Sequence, residues 1–103
     1  MSRWVKVCDE DNFEGDVQLL EHNGNPIAIF HLEDGYYAID NTCSHEEASL
    51  SEGEIENGKI ECPLHGAIFD IRTGKNLLLP AVLPVKAYPV KIENGAIYVE
   101  IED

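Results

Sequence analysis

Two pairs of soft ligands, Cys43-x-His45 and Cys62-x-x-His65, stand sixteen residues apart in a chain of 103. Two thiolates and two imidazoles suit a tetrahedral zinc ion or an iron–sulfur centre. Either choice forces two loops, distant in sequence, to meet at one point. The segment between them supplies the fold-back. Glu54 to Glu61 reads Glu-Ile-Glu-Asn-Gly-Lys-Ile-Glu, and Asn-Gly between short apolar alternations is a strong hairpin signal, because a type I′ turn needs positive φ at both central positions. A hairpin here carries Cys62 back beside Cys43. Pro63 removes a backbone donor and fixes a dihedral of the second loop, and Gly66 permits close backbone approach.

The same turn chemistry recurs along the chain. An Asn-Gly or Asp-Gly step occurs at 23–24, 34–35, 57–58 and 94–95, each between short β-rich runs. The runs are Trp4 to Val7, Val17 to Glu21, Ile27 to Leu32, Tyr36 to Ile39, Ala67 to Ile71, Val90 to Glu93 and Ala96 to Ile101. This pattern predicts an all-β, antiparallel sandwich or barrel base. The ligand loops form an inserted lobe over about 41–77. Asp9 to Glu14 has room for one helical turn. Pro80, Pro84 and Pro89 forbid a long helix after Asn76, so 76–89 reads as an extended connection covering the core. The whole of 1–103 reads as one domain.

Charge narrows the partners. Twenty acidic residues against seven basic ones give a net charge of −13. That argues against nucleic acid or an anionic membrane surface, both of which need Lys and Arg. It suits a basic protein surface, or solubility alone. Of three cysteines, Cys8 is left over as an inert thiol, which fits a reducing, cytoplasmic setting. No leader or membrane span is read from the sequence. His22 and His31 lie in predicted strands away from the ligand loops and read as plain surface or core histidines. Trp4, Phe13 and Phe30 read as core or edge packing. No Ser-His-Asp set, phosphate-binding glycine loop or nucleotide fingerprint is present, so the chain reads as a component and not an enzyme.

The flanks of the ligands distinguish the two metal readings. Cys-x-His followed by Cys-Pro-Leu-His-Gly resembles the Rieske pattern, in which one iron of a [2Fe–2S] cluster keeps two cysteines and the other takes two histidines. A zinc finger instead groups its cysteines and then its histidines. The approach Tyr37-Ala38-Ile39-Asp40-Asn41-Thr42-Cys43-Ser44-His45, the Thr73-Gly74 turn and the return Tyr88-Pro89-Val90 extend the resemblance over nearly the whole chain. It is to Rieske-type ferredoxins, small one-electron carriers of bacterial multicomponent oxygenases. The resemblance implies that Cys43 and Cys62 bind the inner iron and His45 and His65 the outer, exposed one. It implies two partners for a monomeric carrier, a flavoprotein reductase and a terminal ring-hydroxylating dioxygenase. The small Rieske-like subunit of an assimilatory nitrite reductase is the alternative, and a structural zinc module the third reading.

Rieske subunits of respiratory complexes carry two further cysteines in a disulfide, and Ser and Tyr hydroxyls that bond to cluster sulfur. Here those positions are Ala48, Leu64, Ala67 and Phe69. Glu46 and Glu47 follow His45 and belong at the cluster tip, as candidates for partner contact; Glu52 and Glu54 are weaker candidates on the adjoining hairpin.

Overall fold

The computed structural model describes residues 2–22, 24–42, 49–63, 66–78 and 84–102. Eleven strands follow in order: β1 (Ser2–Asp9), β2 (Val17–His22), β3 (Asn25–Leu32), β4 (Gly35–Asp40), β5 (Glu54–Glu56), β6 (Lys59–Glu61), β7 (Ile68–Asp70), β8 (Asn76–Leu78), β9 (Ala87–Tyr88), β10 (Val90–Glu93) and β11 (Ala96–Glu102). They form three antiparallel sheets, in the orders β1-β11-β10, β2-β3-β4-β9 and β5-β6-β7-β8. Single 3-10 turns occupy Glu10–Asn12 and Leu50–Glu52.

The architecture turns on β3. Its run Ile27-Ala28-Ile29-Phe30 is apolar without a break and buried at every residue. Successive strand side chains point to opposite faces, so such a run requires cover on both sides. One face, Ala28 and Phe30 with Ile39 of β4, packs against Leu50, Ile60, Cys62, Ala67, Phe69 and Ile71 of the ligand lobe. The other, Ile27 and Ile29 with Ala38, packs against Val99 and Ile101 of β11. The middle sheet is thus shared, and the lobe that reads from sequence as an insertion has its core continuous with that of the base.

Two of the expected Asn-Gly turns have the predicted geometry. Asn57 and Gly58 sit at φ 51° and 76°, and Asn94 and Gly95 at 54° and 78°. Asp34-Gly35 differs. The register pairs Leu32 with Gly35, so Glu33 and Asp34 make the turn and Gly35 opens β4 at φ 143°. The expected connection over 76–89 contains two short strands, β8 on the lobe sheet and β9 on the middle sheet; residues 79–83 lie outside the described ones. Pro26 is drawn into β3 opposite Glu21, on the side of the hairpin that pairs with the edge strand β2.

Phe30 is core, as expected. Phe13 is half-buried and meets His31 and Tyr36 edge-on, at centroid distances of 5.8 and 5.2 Å. Trp4 is not core: its ring lies on the outer face of the first sheet, with the Lys91 ammonium 4.6 Å from its centroid.

Candidate metal centre

The first ligand loop leaves the end of β4 through Asn41, which among the described residues is the one buried polar residue, at 4 % exposure. Its N–H donates to Pro26 O at 3.0 Å, and its carbonyl accepts from Leu50 N–H at 2.7 Å. Its side-chain Oδ1 accepts from Ser51 N–H at 2.8 Å. Burial without partners would be costly for an amide; here the Leu50 and Ser51 contacts tie the start of the loop to its return, and the Pro26 contact ties it to β3. Thr42 and Ser49 then form an isolated antiparallel bridge. The described residues on either side of 43–48 are thus bridged to each other.

The second loop is closed in the same way. Cys62 N–H donates to Ala67 O at 2.6 Å, and Gly66 takes φ 70° within the turn. Cys62 is 2 % exposed, in a cluster with Leu50, Ile60, Ala67 and Phe69. The two necks touch at Gly53. A Cβ there would fall on the Glu61 carbonyl, so the backbone leaving the first loop crosses directly over the strand end that delivers Cys62. A cavity of about 330 Å³ opens at this crossing, lined by Glu52, Gly53, Glu54, Glu61, Cys62, Pro63 and Gly66.

Of the four expected ligands, Cys62 is among the described residues, and it is buried. Cys43, His45 and His65 lie outside the described residues, as do Glu46, Glu47, Ala48 and Leu64. Among the described residues, no three His, Cys, Asp or Glu side chains gather as a metal site. His22 and His31 stand elsewhere: His22 Nε2 is 3.4 Å from the Arg3 guanidinium, and His31 stacks on Tyr36 at 4.3 Å. Cys8 is half-buried, with its thiol 3.8 Å from Gln18 Oε1. Burial first, then the Asp9 carboxylate, pushes its pKa up, the opposite of what a reactive thiolate needs.

Three features escape sequence reading. The first is the Asn41 knot and the second the Gly53 crossing. The third is Arg72, whose guanidinium binds both carboxylate oxygens of Asp34, at 2.9 and 3.2 Å, and lies 5.3 Å from the Tyr37 ring centroid. This bidentate pair straps the turn after β7 to the β3–β4 turn, and holds the Asp34 carboxyl below the usual carboxylate range. A polar residue following an apolar strand is the one sequence signal for the Asn41 knot.

A chain with two closed loops, a dry cysteine at the base of one and a Cys/His pair on each has the donors for two irons of unlike ligation. The Rieske [2Fe–2S] domain family matches residues 3–89, and the chain belongs to that family. Two relatives of known role are similar over almost their whole lengths. The chain is 45 % identical over 104 residues to the 3-phenylpropionate/cinnamic acid dioxygenase ferredoxin subunit of Photorhabdus laumondii, covering 100 % of this chain and 98 % of that one. It is 44 % identical over 100 residues to the ferredoxin component of the naphthalene 1,2-dioxygenase/salicylate 5-hydroxylase systems of a Ralstonia species, covering 96 % of each. Among solved structures it superposes on a chain of the complex of reduced oxygenase and oxidized ferredoxin in carbazole 1,9a-dioxygenase. The TM-score is 0.86 with 35 % identity, over 93 % of this chain and 91 % of that one. Among the described residues, no helix is long and apolar enough to cross a membrane.

Proposed function

We propose that this protein is a one-electron carrier with a Rieske [2Fe–2S] cluster, held by Cys43, His45, Cys62 and His65 in a single domain. It takes electrons from a flavoprotein reductase and passes them to a terminal ring-hydroxylating dioxygenase, and does no catalysis alone. The observation that carries this reading is similarity above 40 % over nearly full length to ferredoxin components of aromatic dioxygenase systems, joined to the two-loop site. When bound, the cluster supplies reversible uptake of one electron. The chain's own residues would seat one thiolate at Cys62, against the apolar cluster of the lobe, and keep the loop necks closed. We place the carrier in the cytoplasm as a monomer, in keeping with the leftover thiol Cys8.

The test is direct. The purified protein should be red-brown, with two irons and two sulfides per chain, and should restore turnover to a reductase and oxygenase mixed without a ferredoxin. A colourless zinc protein, or one that purifies only with a sirohaem subunit, would sink the proposal. The nitrite reductase reading is the less supported, because the relatives at 44 and 45 % identity are dioxygenase ferredoxins, whereas the solved structures assigned to nitrite reductase small subunits match at 23 and 22 %.

Two predictions follow from the site. Ala67 and Phe69 are fully buried and have no side-chain donor. A hydrogen bond to cluster sulfur stabilises the added electron, so its absence lowers the potential. We expect a value towards the low end of the Rieske span of roughly −150 to +300 mV, raised by the double change Ala67→Ser with Phe69→Tyr. Protein-film voltammetry giving a wild-type value well above zero would refute this.

The other prediction concerns encounter with the partners. Glu52, Glu54 and Glu61 line the cavity at Cys62, and Glu46 and Glu47 adjoin His45 in sequence. A carrier must bind two partners in turn and leave, and electrostatic steering speeds such encounters. Charge reversal at Glu46 and Glu47 should slow electron transfer to the oxygenase at low ionic strength. The slowing should shrink as salt rises, since screening reaches about 8 Å at physiological ionic strength. Stopped-flow rates independent of salt would leave the acidity to solubility alone.

A further inference from the structure

We propose that Tyr88 and Asp40 are positioning residues for the first ligand loop, with the Tyr88 hydroxyl clamping the strand end from which Cys43 departs. This rests on the reading that Cys43 and His45 are ligands. Tyr88 is 8 % exposed, and its hydroxyl donates to Asp40 Oδ1 at 2.5 Å. The Tyr88 hydroxyl oxygen in turn accepts from Asn25 Nδ2 at 3.2 Å.

The bond joins the three segments that carry the loop neck. Asp40 ends β4, three residues before Cys43. Asn25 opens β3, next to Pro26, whose carbonyl holds Asn41 N–H. Tyr88 belongs to β9, which pairs with β4 through Ala38 and Ile39 only. Tyr88 stands opposite Ala38, so Asp40 is its diagonal neighbour on the same face, where side chains reach one another across strands. Asp40 N–H also donates to Lys86 O at 2.9 Å. Beyond Asp40, the backbone is held by the Asn41 contacts alone until Thr42 meets Ser49. The hydroxyl is a dependable donor: burial, then the bond to Asp40, pushes the Tyr88 pKa up to about 12. A phenyl ring would fill the same space, so the oxygen marks a role beyond packing.

The test compares holoprotein of the wild type with Tyr88→Phe, Asp40→Ala and Asp40→Asn, and with Ile97→Val as a core change in the first sheet. Iron release to a chelator is followed in the visible band, and the reduced protein is examined by electron paramagnetic resonance. Tyr88→Phe and Asp40→Ala should release iron about tenfold faster, the order expected for losing a hydrogen bond to an ionised group, with altered g-values. Asp40→Asn keeps a neutral oxygen to accept from Tyr88 and should fall between the wild type and Asp40→Ala. Ile97→Val should lower stability without moving either readout. Wild-type release and g-values in both Tyr88→Phe and Asp40→Ala would overturn the clamp, as would Asp40→Asn behaving like Asp40→Ala. If Tyr88→Phe does not fold, the two Asp40 variants decide the matter. A wild type without iron, or Cys43→Ser that keeps it, would instead overturn the ligand assignment beneath.

Discussion

Cys62→Ser should abolish the visible spectrum and the bound iron completely, and Cys43→Ser should do the same. The Cys62 thiol is buried at the neck of the second loop, among Leu50, Ile60, Ala67 and Phe69. A serine oxygen there is a hard, weakly acidic ligand in an apolar pocket, a poor replacement for thiolate. Because metal binding is also folding free energy, the lobe should lose protection with the cluster. Cys8→Ser is the control: its side chain, on the first sheet, borders Gln18 of β2, and its loss should leave the spectrum intact. Iron and sulfide assays on the three variants check this, and a Cys8 variant without cluster would show the ligand set to be wrong.

Phe69→Ala should be the most damaging packing change in the lobe. Phe69 is fully buried in the central strand pair of the lobe sheet, between Ile60 of β6 and the middle sheet. Emptying such a site costs about 3–5 kcal/mol, against a total stability of roughly 5–15 kcal/mol for a domain. Since the middle sheet is shared, the loss should lower a single transition and not melt the lobe by itself. Urea titration followed by circular dichroism measures it. Phe69→Leu, which keeps most of the buried apolar area, should cost markedly less. A Phe69→Ala cost under about 1 kcal/mol would mean that the lobe core collapses around the gap.

What could be read from sequence was local. The Asn57-Gly58 and Asn94-Gly95 turns depend on two residues each, and the Cys/His pairs on a few. The run Ile27 to Phe30 was visibly apolar, but the layers meeting its two faces are set by Leu50, Ile60 and Val99, contacts across more than twenty residues. β9 is two residues long and exists because β4 pairs with it, so no propensity marks it. Pro80 and Pro84 dominate the reading around β8, whose Ile68↔Leu78 pairing supplies its reason to be extended. Gly53 lacks any sequence mark of its close approach to Glu61. Asn41 reads as a polar residue before a loop until Leu50 and Ser51 return to it.

The two ends of the described chain lie side by side. Ser2 pairs with Glu102 in the ladder of β1 with β11, on the sheet that the middle layer separates from the ligand lobe. A linker, an affinity handle or a second protein joined at either end would therefore start on the sheet across the middle layer from the lobe core. The fold is suited to being tethered: fixed through Ser2 or Glu102 to an electrode or fused in line with a redox partner, it would keep its lobe turned towards whatever comes to exchange an electron.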